Sequence, residues 1–216
     1  MTAFSCVQVN VTEFGIINHT SHPHLLSDRV VNIGQKLDLW NGPHYIIAEM
    51  ETNPVKSLYG NNGEKNKDQS PWSRARIVAT IPSRWFLHIC YMHSFSITEN
   101  YYILIEQPMA VYFPEMPANL LFNRKPIAGA LKFFPDEDTL FHVIPREGVG
   151  SLKRRTFRAP SFFFLHTINA FEQDSKLGPE ICVDICCYKD PQMIDCMYVD
   201  ALKVRKVTAV FYSMDT

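Results

Sequence analysis

Apolar residues in this chain fall in short runs rich in β-branched and aromatic side chains, and helical spacing is almost absent. Such runs cover 45–48, 76–81, 85–92, 101–105, 110–113, 139–144, 161–165, 181–188 and 197–202. Runs of this length and composition are the pattern of buried or half-buried strands. Turn-forming clusters separate them: Asn41-Gly42-Pro43, Pro135-Asp136-Glu137-Asp138 and Glu147-Gly148-Val149-Gly150. Their residues supply positive φ, fixed φ or local side-chain hydrogen bonds. Only 118–134 hints at a helix. The pattern predicts an all-β protein, and many short strands in one chain call for a sandwich, a barrel or a propeller to bury them.

A polar stretch at 59–70 has no apolar anchor and reads as a surface loop inserted within a domain, because strands of the same character resume on both sides. With 216 residues, 46% hydrophobic and 20% charged, the chain has a globular composition and enough material for a substantial core. Twenty-one Lys and Arg against 22 Asp and Glu leave a formal net charge of −1, so no overall basic field recruits nucleic acid. Lys153-Arg154-Arg155 reads as a solvated turn.

The N-terminus lacks the basic flank and apolar core of a secretory leader, and no stretch approaches the roughly 18 apolar residues of a membrane span. The expectation is therefore a cytoplasmic chain, and with it the glycosylation-type triplets Asn10-Val11-Thr12 and Asn18-His19-Thr20 are set aside. Six cysteines, Cys6, Cys90, Cys182, Cys186, Cys187 and Cys196, include no Cys-x-x-Cys pair. Four of them lie in or beside strand-like sequence, so the expectation is plain core thiols.

Candidate chemistry resides in three histidines at nearly equal intervals. His22, His93 and His166 are 71 and 73 residues apart, each at the edge of a β-like run. Imidazole is the commonest neutral ligand of transition metals, so one histidine per structural repeat, aimed at a common axis, would build a metal centre. A lone histidine beside apolar sequence is more ordinarily a core residue with a satisfied ring, and spacing alone does not choose between the two.

The surrounding blocks do more. His93-Ser94-Phe95-Ser96-Ile97-Thr98-Glu99-Asn100-Tyr101, followed by Glu106-Gln107-Pro108, resembles the His-Ser-Phe-x-x-Thr-x-Asn-Tyr segment of the carotenoid cleavage oxygenases. His166-Thr167-Ile168-Asn169-Ala170-Phe171-Glu172 resembles that family's His-x-x-Asn-Ala-aromatic-Glu signature, and Ser21-His22-Pro23-His24 with Val31-Asn32-Ile33-Gly34 supplies a third block. These blocks occur in the right order and cover about 4–203. The segments Cys186-Cys187-Tyr188-Lys189-Asp190-Pro191 and Cys196-Met197-Tyr198-Val199-Asp200-Ala201 are most similar to the insect-type carotenoid isomerooxygenases.

The resemblance implies a seven-bladed β-propeller holding one Fe(II) ion on its axis through four histidines. Carried over by motif, His22, His93 and His166 are three of those ligands. No histidine here sits in a block like the fourth, and His24 is expected to pack or hydrogen-bond nearby instead. Glu99 and Glu172 match motif positions and read as turn or strand-end hydrogen-bonding groups. The family's ring-orienting glutamates fall outside the represented segment, so none is carried over.

The implied chemistry is O2-dependent scission of a carotenoid double bond into apocarotenal or retinal products, with isomerisation of one product in the insect type. Two alternatives remain: a retinoid isomerohydrolase of the same fold, and a non-enzymatic carotenoid-binding remnant. A lipid-borne substrate also implies peripheral membrane contact, for which Leu120, Leu121, Phe122 and Leu131, interleaved with basic residues, are the candidates against an ordinary buried connection. The expected organisation is a partial seven-bladed propeller, about three blades' worth of sequence over 1–203, followed by a divergent tail at 204–216. Such a piece, lacking the fourth ligand and exposing blade faces, is expected to be impaired in isolation.

Overall fold

Asn41-Gly42 forms the sharp reversal its sequence predicts. Gly42 has φ +77, a left-handed conformation that side-chain-bearing residues rarely adopt, and it turns β3 (Arg29–Asp38) into β4 (Gly42–Glu51). This hairpin is the centre of the first sheet in a computed structural model that describes residues 16–38, 40–51, 75–115, 130–146 and 153–204. The sheet runs β1 (Ile16–His19), β3, β4, β5 (Arg76–Pro82), with β2 (His24–Leu25) also on β3. All its pairings are antiparallel. Gly34 lets β1 lie close: a Cβ there would stand 2.8 Å from Ile16 Cγ2 and 3.1 Å from the Asn18 carbonyl.

Three further sheets follow. The smallest orders β10 (Leu131–Phe133), β9 (Met109–Tyr112) and β6 (His88–Cys90). A four-stranded sheet orders β12 (Arg155–Ala159), β11 (Thr139–Pro145), β8 (Tyr101–Glu106) and β7 (Ser96–Ile97). The last is a long ribbon of β13 (Phe163–Ser175) and β14 (Gly178–Tyr188).

The sequence Tyr101-Tyr102-Ile103-Leu104-Ile105 explains how the sheets stack. Alternate side chains of a strand face opposite sides. Tyr102 and Leu104 enter the main core with Val31, Ile33, Tyr45 and Ile47 of the first sheet, whereas Ile103 and Ile105 meet Phe164 and the β13–β14 ribbon. Strand β8 is thus covered on both faces, which is why it reads as a continuous apolar run rather than as alternation. Antiparallel sheets stacked face to face in chain order are consecutive blades of a partial propeller.

Several expectations need correction. Residues 197–202 are not a strand. Gln192–Asp195 forms a single helical turn, α1, and Val199–Val204 forms a short helix, α2. No described strand pairs with this segment, and its backbone bonds internally, as in Leu202 N–H to the Tyr198 carbonyl at 2.9 Å. The core-thiol expectation holds for Cys90 alone among the described cysteines: Cys182 is half-buried, and Cys186, Cys187 and Cys196 are exposed. Strand β14 has β13 as its only described partner, so its apolar composition does not translate into burial. The loop at 59–70, the turn at 147–150, the 204–216 tail beyond Val204 and Cys6 lie outside the described residues, as does most of 118–134, whose end is the strand β10.

Candidate metal centre

Each candidate histidine is held by a different local device. His22 lies in the turn between β1 and β2. The Thr20 hydroxyl accepts the His22 backbone N–H at 3.3 Å and donates to Asn32 Oδ1 at 2.6 Å. Asn32 returns a bond from Nδ2 to the Thr20 carbonyl at 3.0 Å, clasping the turn to β3. His93 lies in the extended stretch between β6 and β7, where Tyr91 stacks on its ring with centroids 6.3 Å apart. His166 sits in a β-bulge: the β13–β14 register passes from Phe164↔Cys187 to Thr167↔Ile185, so Leu165 and His166 stand opposite one residue.

Residues beside the histidines bind the three segments together. The Phe95 carbonyl accepts from His24 Nε2 at 2.9 Å and from the Thr167 hydroxyl at 3.1 Å. One oxygen therefore joins residues two after His22, two after His93 and one after His166. The Ser94 hydroxyl donates to the Leu165 carbonyl at 2.7 Å and accepts the Thr167 N–H at 3.0 Å. Gln107 spans the same junction: Nε2 donates to the Tyr91 carbonyl at 2.7 Å and the Phe164 carbonyl at 3.1 Å, and Oε1 accepts the Phe164 N–H at 2.8 Å.

The outcome is convergence. His22 Nε2 lies 2.9 Å from His93 Nε2, which lies 3.2 Å from His166 Nε2. The three ring centroids are 4.7–4.8 Å apart, and His166 stands nearly perpendicular to the other two rings, at 89° and 86°. Among the described residues this is the one cluster of three or more His, Cys, Asp or Glu side chains able to share a metal ion. Desolvation, then the neighbouring His22 and His166, pushes the His93 pKa down. Its ring is neutral at pH 7 and keeps a lone pair to donate.

The distances can be tested against a metal. Imidazole–metal bonds of about 2.0–2.1 Å put two nitrogens about 2.9 Å apart at a right angle and about 3.4 Å apart at the tetrahedral angle. The observed 2.9 and 3.2 Å fall within that span, and all three donor atoms lie within 4.8 Å of one another. Three imidazole nitrogens suit iron, zinc, copper or nickel. The residues fit a metal, and the donor set alone does not name which.

The remaining motif residues have other partners. Glu172 accepts the Asn100 N–H at 2.8 Å and Asn100 Nδ2 at 2.9 Å. Burial raises its pKa, and hydrogen bonds from Thr98 and Asn100 outweigh that and hold it below the ordinary range. The Glu99 carbonyl accepts from Arg146 at 2.9 Å. Among the described residues no carboxylate reaches Nδ1 of His22, His93 or His166. Sequence reading overlooked Ser94, Thr20 and Gln107 as organising residues. For the hydroxyl residues a signal is present, since one lies within two positions of each histidine, whereas nothing in the local sequence marks Gln107 for that role.

Comparison with known proteins decides the family. The family profile described as RPE65, retinal pigment epithelial membrane protein, matches residues 4–215. The chain belongs to the RPE65/carotenoid oxygenase family. The match runs past residue 203 into the tail read as divergent. Carotenoid isomerooxygenase of Drosophila melanogaster is 38% identical over 197 residues, which is 90% of this chain and 28% of that protein. Its counterpart in Galleria mellonella is 35% identical over 90% of this chain and 34% of its own length. Beta,beta-carotene 15,15'-dioxygenase of Gallus gallus is 28% identical over 90% of this chain and 35% of its length. This member thus spans about a third of the length of those relatives. A variant of Synechocystis apocarotenoid oxygenase shares the fold at TM-score 0.53 and 19% identity, over 79% of this chain and 30% of that one.

Proposed function

We propose that His22, His93 and His166 are ligands of an Fe(II) centre that cleaves a carotenoid double bond with O2. The observation that carries this reading is the approach of three Nε2 atoms, from segments 71 and 73 residues apart, to 2.9 and 3.2 Å. When bound, iron supplies the O2 chemistry that splits the double bond into two carbonyl products. The chain's own part is to hold and orient. Tyr91 packs on the His93 ring, partial burial keeps that ring neutral, and the Phe95 carbonyl keeps the three histidine-bearing segments in register. No side chain is required as an acid or base. The isomerooxygenase relatives support an added trans–cis isomerisation of one product.

A lipid-borne substrate extends the proposal to peripheral membrane contact. Among the described residues no helix is long and apolar enough to cross a membrane. Leu120, Leu121 and Phe122 lie outside the described residues. Leu131 is half-buried and packs with Met109, Phe163 and Leu165, so its side chain is engaged in the core. Flotation with liposomes, comparing a triple serine variant of Leu120, Leu121 and Phe122 with the parent, tests the contact; equal flotation overturns it.

The catalytic reading is tested by loading the chain, and any longer protein containing it, anaerobically with Fe(II) and then supplying carotenoid and air. Stoichiometric iron lost in H93A, together with aldehydic apocarotenoids, is the expected result. Isomerised retinol from a retinyl ester, without scission, would assign the isomerohydrolase alternative. Carotenoid binding without iron or turnover would assign the non-enzymatic one.

A further inference from the structure

None of the three ligands is placed by an unbroken strand ladder: His22 lies in a turn held by the Thr20 hydroxyl, His93 lies in an extended stretch between β6 and β7, and His166 lies where the β13–β14 ladder is interrupted. His166 stands at a bulge, where the partner strand offers one residue opposite two, and it is the exposed member of the trio. A bulged residue has lost the ladder bonds that define its direction. Some other contact must set where its imidazole points.

The Ser94 hydroxyl occupies that place. It donates to the Leu165 carbonyl at 2.7 Å and accepts the Thr167 N–H at 3.0 Å, so it closes on the backbone immediately before and immediately after His166. Ser94 is 3% exposed, and in a site so shielded from bulk solvent a hydrogen bond is electrostatically stronger than at the surface. It is also the residue next to His93. One side chain therefore couples the position of two ligands, and its reach is that of a missing strand partner.

We propose that Ser94 is a positioning residue for the metal centre: its hydroxyl replaces the absent ladder at the bulge and holds His166 at bonding distance from the metal shared with His93. The proposal rests on the metal-centre reading above. A second tie at the same junction serves as a control. Glu172 accepts two bonds from Asn100, six residues along β13 from His166, and joins the same pair of sheets without touching the bulge.

Cobalt(II) titration of the whole chain, read by visible absorption and paired with thermal melting, tests the idea without turnover. The unmodified chain is expected to bind one Co(II), and H166A to change the spectrum. Ser94→Ala should weaken binding about 10–100-fold, the range for residues that orient ligands from outside the coordination shell. Ser94→Thr, which keeps the hydroxyl, should recover to within about threefold, and Glu172→Ala should melt lower than the parent yet bind Co(II) as tightly. No binding by the unmodified chain overturns the metal-centre reading and this one with it. Normal binding by the parent and equally tight binding by Ser94→Ala overturns the role of Ser94 alone. A loss that threonine does not restore, or that Glu172→Ala reproduces, overturns it as well.

Discussion

Replacing Gln107 by glutamate changes one atom's chemistry at the junction that carries the candidate centre. Gln107 is fully buried, and its amide uses both N–H groups on the Tyr91 and Phe164 carbonyls and its oxygen on the Phe164 N–H. In Q107E the introduced carboxyl keeps the shape and the bond to Phe164 N–H but points an oxygen at two carbonyls. Each buried acceptor left without a donor costs about 1–3 kcal/mol. Two of them amount to about 2–6 kcal/mol at pH 7, before the repulsion is added. That is a large share of the roughly 5–15 kcal/mol by which domains are stable. Burial and the facing carbonyls favour the protonated acid, so its folded pKa is raised above the unfolded value of about 4.3. The deficit is therefore smallest below the unfolded pKa, grows as pH rises toward the folded one, and is constant beyond it. Recovery in acid is partial, because a protonated carboxyl offers one donor where the amide offered two. Urea denaturation followed by circular dichroism between pH 4 and 8 measures this, with Q107L as a control whose deficit has no such pH dependence. Equal stability of Q107E and parent at pH 7, or a deficit that does not shrink on acidification, refutes the reasoning.

Two further outcomes follow from the packing. Burial raises the Glu49 carboxyl, but bonds from Tyr102, Arg29 and Arg76 outweigh this and hold its pKa below the ordinary value. Its contribution is thus fully present above the unfolded pKa of about 4.3 and is lost as pH falls through the folded value; E49Q should flatten the melting temperature against pH between about 3 and 5, and an unchanged slope would contradict the assignment. Gly34→Ala places a methyl 2.8 Å from Ile16 Cγ2 and 3.1 Å from a backbone oxygen, so β1 must shift; a loss of about 1–3 kcal/mol is expected, and a melting temperature equal to the parent would show that β1 is not packed as described.

Much of the architecture is legible because strand formation is written locally. Tyr101-Tyr102-Ile103-Leu104-Ile105 reads as a strand buried on both faces, and Asn41-Gly42-Pro43 as a turn, from residue type alone. Other elements are not. Strand β13 continues through His166-Thr167-Ile168-Asn169-Ala170-Phe171-Glu172-Gln173-Asp174-Ser175, a polar stretch whose pairing with β14 overrides its composition. Val199–Val204 forms a helix because Ala201, Leu202 and Lys203 between its end valines are good helix formers and no described strand pairs with it.

The candidate centre divides the same way. By itself the sequence determined which residue types are available, their 71- and 73-residue spacing, and a family-like neighbourhood around each histidine. Only the tertiary structure decided that three imidazoles meet with their donor atoms within 4.8 Å of one another, that Phe95 and Ser94 join their segments, and that His166 stands at a bulge beside them. The reason is physical. Burial preference and turn chemistry act over a few neighbouring residues and leave a periodic trace, whereas a contact between residues more than seventy apart depends on how one sheet stacks on the next.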